Sequence, residues 1–226
     1  MDYEEAKLQL LLHSGGATDA AGEPLVLEGG FIDSLRPYSG LHEKNFHLVM
    51  EALLTVGERI HRAPQLDRDL VEAAWWMCST ARAWGLHPGG MLQRNALISA
   101  EDCAKLERWV ETFETTALYL LAGSPPHRAV YHYAAYVVGS GAWDNVAFFV
   151  DLMSRAVRDP TIAPEIETIA KALGKLGAAA VAALPALREA EQRSYAWYEP
   201  EERCTAETRA HVRQAIREIE LSGGRG

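Results

Sequence analysis

The apolar positions of this chain follow a helical period over most of its length. Between residues 42 and 62, apolar side chains recur at steps of three and four residues, which places them on one buried stripe. Cap signals at Asp67 and Ser99 and the pair Ser124-Pro125 mark helix starts. Thr205 is predicted to cap the last helix. The pattern therefore predicts an all-α chain, with further helices near residues 2–13, 67–84, 99–123, 125–138, 142–158, 164–176 and 178–190.

A Gly/Pro-rich irregular arm interrupts this pattern over residues 15–40. Within it, Leu25, Val26 and Leu27 form the one short run that could pair as a strand. A long non-helical segment inside a compact domain is usually functional or mobile. We therefore expect this arm to have a role of its own, which the sequence does not specify.

Two groups of aromatic residues raise a question of placement. Trp75 falls on the apolar stripe of its helix, and Trp76 follows it directly. Consecutive residues of a helix do not face the same way, so one of the two indoles should lie in another interface or be partly exposed. In a second group, Tyr131 is predicted to be core, and Tyr133 and Tyr136 are predicted to line an adjoining face.

The segment from Ile166 to Ala190 resembles a HEAT repeat. It contains the turn Ala-Leu-Gly-Lys-Leu-Gly at 172–177 and the helix core Ala-Leu-Pro-Ala-Leu at 183–187. Gly177 suits the left-handed turn between two antiparallel helices. The resemblance extends over residues 142–221, although the linker after Ala190 is longer than a regular array would use.

The resemblance implies a HEAT-like α–α superhelix. Its predicted divisions are an N-terminal helical region, 1–123, which carries the irregular arm, and helical repeats over 124–226. Two or three repeats alone rarely suffice for stability, so the N-terminal region is expected to act as a cap on a single continuous unit.

The charge of the chain changes which partners are plausible. The net charge is −9, and residues 1–124 hold 10 basic and 18 acidic side chains, a net −8. A chain this acidic is a poor ligand for the phosphates of nucleic acids. Charge complementarity favours a basic protein partner, although acidity also serves plain solubility.

Three cysteines, Cys78, Cys103 and Cys204, are odd in number and far apart. This usage is typical of a reducing compartment, and we expect a cytoplasmic protein. The first residues show no signal-peptide pattern, and the sequence contains no uninterrupted apolar run of membrane-spanning length, so no membrane association is expected.

The chain lacks the spacings that catalytic and metal motifs require. His42 and His47 are five residues apart, as are His127 and His132, so neither pair shares one helical face. We expect no metal and no cofactor. The alternative to a binding protein is a lyase-like helical-repeat enzyme, whose small-molecule pocket would be lined by Tyr133, Tyr136, Trp143 and Asp144.

The favoured function is non-catalytic protein binding by a helical scaffold or adaptor, with an immunity- or antitoxin-like protein that masks a basic enzyme as one form. Aromatic anchors with a charged rim are typical of binding hot spots. The linker after the repeat carries such a set, which we predict to bind the partner unless it folds back as a cap: Tyr195, Trp197, Tyr198, Glu201 and Glu202.

Overall fold

The chain is helical in its tertiary structure, as the periodicity predicts. The computed structural model describes residues 1–60, 63–140, 146–196 and 200–223. Within these ranges no extended strand forms, and the β-type pairing consists of two isolated bridges, Thr18 with Pro24 and Leu35 with Tyr38. The chain divides into two compact units, Met1–Pro125 and Pro126–Gly226.

The first unit is built from four longer helices. They are α1 (Tyr3–Ser14), α2 (Glu43–Ile60), α3 (Arg68–Ala81) and α5 (Ala100–Leu121), with the single-turn α4 (Met91–Arg94) between α3 and α5. Helix α1 packs on α2 and α3, and α5 packs on the same two helices. The core lies between them, where Trp109 of α5 stacks on Phe46 of α2 with ring centroids 4.8 Å apart.

Local sequence sets the starts of these helices. The side chain of Asp2 accepts from the backbone N–H of Glu5 in a capping box, Asp67 caps α3, and Ser99 caps α5. Such side chains satisfy backbone donors that have no partner in the helix. One element was not predicted: α3 continues into a π-helical turn, Arg82–Leu86, before the chain leaves the helix.

The irregular arm is anchored to the first unit. The Nδ1 atom of His13 accepts from the backbone N–H of Phe31 at 3.1 Å, and the carbonyl of His13 accepts from Ile32 at 3.1 Å. Phe31, Ile32 and Leu35 are buried, and the ring of Phe31 lies 6.3 Å from that of Trp109. No strand forms over Leu25–Leu27, although the N–H of Leu25 donates to the carbonyl of Ala17 at 2.8 Å beside the Thr18–Pro24 bridge, and Val26 is exposed.

The second unit is organised around one central helix. Its helices are α6 (Pro126–Ser140), α7 (Val146–Ala156), α8 (Ile166–Leu176), α9 (Leu184–Gln192) and α10 (Glu201–Gly223). Helix α8 packs on α6, α7 and, most extensively, α10. Gly174 permits this approach, because a Cβ there would lie 3.2 Å from the Cα of Ala215 in α10.

Gly177 ends α8 with φ +57° and ψ −135°. The φ is positive, as expected, but this ψ is far from the value near +47° of the left-handed region, so the predicted left-handed turn does not form. The chain then enters a 3-10 helix, Gly177–Ala183, before α9 begins. The prediction that Thr205 caps the last helix is wrong, because α10 begins four residues earlier. The Thr205 hydroxyl donates instead to the carbonyl of Tyr195 at 3.0 Å.

One helical stretch of the second unit, Ala163–Gln192, is long and apolar enough to cross a membrane by length and composition alone, with a mean hydropathy of 1.4 in its most apolar window. Half of that window is buried inside the protein, and the core helix of a soluble protein meets the same criterion. The stretch is therefore weak evidence for a membrane span.

Candidate functional site

An apolar hollow lies on the first unit, between α3 and α5. It has a volume of about 560 Å³ and is open to solvent. We call it the Trp75 groove. Its walls are formed by Val71, Ala74, Trp75, Cys78 and Ser79 of α3, by Arg82, Ala83 and His87 beyond it, and by Glu114, Ala117, Leu118 and Leu121 of α5.

Helical spacing explains why these residues share one wall. Positions 71, 74, 75 and 78 of α3 and position 82 beyond it form a stripe at steps of three and four, and positions 114, 117, 118 and 121 of α5 form another. Where the two stripes meet, Ala74 and Ala117 are buried. Farther out, Trp75 is 73% exposed and Leu118 is 63% exposed. The groove is therefore the part of the α3–α5 contact that stays open to solvent.

Electrostatics at the groove are set by an ion pair and a neutral thiol. The guanidinium of Arg82 donates to a carboxylate oxygen of Glu114 and so closes one end of the groove. Burial raises the pKa of the Cys78 thiol to about 12, and the nearby charge of Glu114 adds to the rise while Arg82 opposes it. Cys78 therefore stays a thiol at neutral pH and is a poor nucleophile there.

A second hollow lies on the other side of α3, between that helix and α1. We call it the Trp76 hollow. It measures about 410 Å³ and is formed by Leu8, Leu11, Ser14, Gly15, Gly16, Ala17, Thr18, Asp69, Glu72, Ala73 and Trp76. Trp76 is 51% exposed there, and Lys7 lies 3.2 Å from the carboxylate of Asp69. At least one of the two adjacent tryptophans was expected to be partly exposed, and both are. Trp75 is therefore not a core residue.

Two of the four residues of the predicted small-molecule pocket, Tyr133 and Tyr136, lie in the described part of the chain, so the pocket stays a prediction. Tyr133 is completely buried, with its ring 5.5 Å from that of Phe149 and 6.0 Å from that of Phe148. Tyr136 is half-buried. Trp143 and Asp144 lie outside the described residues. The prediction that Tyr131 is core is wrong, because its side chain is 47% exposed.

The predicted partner-binding linker divides in the structure. Tyr195 is buried at 3% exposure, its hydroxyl donates to the carbonyl of Ala190, and its backbone N–H donates to Thr205 Oγ1 at 2.8 Å. The ring of Tyr195 therefore anchors the linker to the second unit. Glu201 and Glu202 are exposed in the first turn of α10. Trp197 and Tyr198 lie outside the described residues, so their predicted role stays a prediction.

Metal ligands are not clustered in the described ranges, where no group of three or more His, Cys, Asp or Glu side chains could hold an ion. His13 and His47 are the most perturbed histidines. Burial lowers the pKa of His13 to about 4 and that of His47 to about 3, with a smaller contribution to the latter from the charge of Lys105. Both are therefore neutral core residues at physiological pH.

Comparison with protein-family models, with curated proteins and with solved structures found no match to this chain. The surfaces described above are therefore the basis for any functional conclusion. Sequence reasoning missed the Trp75 groove because it placed Trp75 on the apolar stripe of its helix and did not settle which of the two tryptophans is exposed. The available signal in the sequence was the pair Trp75-Trp76 itself.

Proposed function

We propose that this chain is a non-catalytic protein-binding helical scaffold, and that the Trp75 groove is its docking surface. The observation that carries the proposal is the joint exposure of Trp75 and Leu118 around an open apolar groove. Single exposed apolar residues are ordinary, but a grouped set with polar residues at its edge is typical of an interaction site. Burying a large aromatic side chain there would supply much of the binding free energy.

Binding is favoured over catalysis because of the shape and chemistry of the groove. It is open rather than enclosed, whereas small-molecule sites surround most of their ligand. The Cys78 side chain in its wall is held as a thiol by burial. The partner that we propose is a basic protein, and an immunity- or antitoxin-like masking role is one form of this function. The support is the net −8 of residues 1–124.

The proposal includes a HEAT-like superhelical arrangement for residues 142–221 and a cytoplasmic location. The positive φ of Gly177 and the close approach of α8 and α10 at Gly174 support the helical-repeat hypothesis. The odd number of cysteines supports a reducing compartment. Distances between spin labels on successive helices would test the first point, and fractionation of the producing cells would test the second.

The docking surface can be tested by site-specific photo-crosslinking in the cells that make the protein. A benzophenone amino acid at position 118 should yield one covalent adduct of defined mass with a partner protein, and the additional change Trp75→Ala should abolish it. The matched control carries the same probe at position 221, because Leu221 is equally exposed, at 68%, but lies on α10. Equal labelling from both positions, or none from position 118, would refute the assignment.

A further inference from the structure

The rims of the Trp75 groove carry more negative than positive charge, although its floor is apolar. Glu72, which lines the neighbouring Trp76 hollow, is exposed on α3, and Glu111 and Glu114 are exposed on α5. The exposed arginines on these faces are Arg82 and Arg68, which lies one turn before Glu72, so the glutamates exceed them by one. Glu114 is paired with Arg82, while Glu72 and Glu111 make no ion pair within the described ranges. An apolar strip between two acidic rims complements a helix that presents an apolar stripe flanked by basic residues.

The Trp76 hollow adds a second feature on the α3 side of this groove. Helical geometry places Glu72 on the solvent face of α3, between the stripe that contains Trp75 and the side that carries Trp76. The indole of Trp76 is half-exposed, and the hollow also contains Glu72 and the carboxylate of Asp69, which already accepts from Lys7 at 3.2 Å. An ammonium or guanidinium group gains from an open aromatic face and from nearby carboxylates together. The aliphatic stem of a lysine or arginine could cover the apolar surface of α3 on the way.

From this arrangement we infer that the partner docks as a basic amphipathic helix, whose apolar face fills the Trp75 groove while a lysine or arginine at its flank crosses α3 to Glu72 and the Trp76 hollow. The inference rests on the proposed function and specifies the partner's chemistry. A groove wall of about three turns, from Val71 to Arg82, matches the apolar stripe of a helix of similar length.

The acidic rims also argue against two other occupants. A second copy of this chain would bring its own Glu72 and Glu111 against the same carboxylates, and like charges in contact are unfavourable. An anionic membrane surface would be repelled for the same reason. Both alternatives can be tested, because a second copy would give dimers and a membrane would give binding to vesicles.

The test uses three synthetic 18-residue peptides that share one leucine stripe and differ only in their flanking residues, which are lysine, glutamine or glutamate. Binding to the full chain is measured by calorimetry at low and at high salt. We expect the lysine peptide to bind at least tenfold more tightly than the glutamate peptide. The difference should shrink with salt, because the rim charges are exposed.

Two variants separate this inference from the proposed function. Trp75→Ala should abolish binding of all three peptides, whereas Trp76→Ala should weaken the lysine peptide roughly two- to fivefold and leave the glutamine peptide unchanged. The double variant Glu72→Gln, Glu111→Gln should remove the preference for lysine. Glu189→Gln is the control, since Glu189 is exposed on α9 of the other unit.

Each other outcome would overturn the basic helical partner, the docking groove, or both. Equal affinity for the lysine and glutamine peptides would refute the basic partner and leave the docking groove intact. Lysine-peptide binding that survives Trp75→Ala would indicate diffuse electrostatic attraction and would refute both. Concentration-dependent dimers that Trp75→Ala abolishes would identify a second copy of this chain as the occupant of the groove. Groove-dependent binding to phosphatidylserine vesicles would identify a membrane surface as the occupant.

Discussion

One buried carboxyl group of the second unit should contribute more to the free energy of unfolding in mild acid than in base. Glu165 is 8% exposed at the start of α8. Burial raises its pKa from 4.5 to about 7, the charge of Glu167 adds to the rise, and a hydrogen bond with Thr168 opposes it. The folded protein therefore holds a proton that the unfolded chain releases. The contribution of this group to stability falls as the pH rises from 4.5 to about 7 and is constant above that range.

The substitution Glu165→Gln removes the charge and keeps the shape. The full pKa difference corresponds to about 3.4 kcal/mol at pH 8, because each pKa unit is worth about 1.4 kcal/mol. Residual solvation of the carboxyl reduces this, and we expect a gain of about 2 kcal/mol in the free energy of unfolding at pH 8. At pH 5 the gain should be roughly a quarter as large, because most of the folded-state carboxyl is already protonated.

The assay is urea unfolding followed by circular dichroism at pH 5 and pH 8. Glu189→Gln, an exposed glutamate of the same unit, controls for net charge and should change little at either pH. His13 and His47 act in the opposite direction. Their lowered pKa values stabilise the fold above pH 6.5, and this stability is lost as the pH falls toward 4. Comparing variant with parent at each pH cancels that effect. An equal gain at both pH values, or none at pH 8, would refute the reasoning.

Two further substitutions test the backbone and the linker of the second unit. Gly177→Ala should lower the free energy of unfolding by about 1 kcal/mol or more, because φ is +57° and a Cβ would lie 3.0 Å from Ser222 Oγ. Gly139→Ala, where nothing lies within 4 Å, is its control in the same thermal melt. Tyr195→Phe should cost about 1 kcal/mol in urea unfolding through loss of the hydroxyl bond to Ala190, and an unchanged midpoint would show that this bond does not stabilise the linker.

Helix starts were predictable because they depend on residues that are close in sequence. Asp67 and Ser99 satisfy backbone donors two or three positions downstream, so the cap can be recognised without knowing the rest of the fold. Thr205 was misassigned by the same reasoning. It resembles a cap, but its hydroxyl bonds to Tyr195, ten residues away, and only the folded chain brings those two residues together.

The candidate site was less predictable because exposure depends on neighbours that are distant in sequence. Periodicity places Trp75 on an apolar stripe, yet it cannot say how much of that stripe another helix covers. Packing against α5 covers Ala74 and leaves Trp75 and Leu118 exposed. Tyr131 and Tyr133 show the same limit, since the predicted core residue is exposed and its neighbour two positions later is fully buried.

By itself, the sequence determined the helical class, the positive φ of Gly177, and an acidic charge concentrated in residues 1–124, because each depends on local conformation or composition. The tertiary structure alone decided that the irregular arm is anchored through Phe31 and His13, and that the apolar stripes of α3 and α5 stay partly open as a groove. The physical reason is that burial depends on which surfaces meet. A contact between two segments far apart in sequence leaves no periodic pattern in the sequence of either segment.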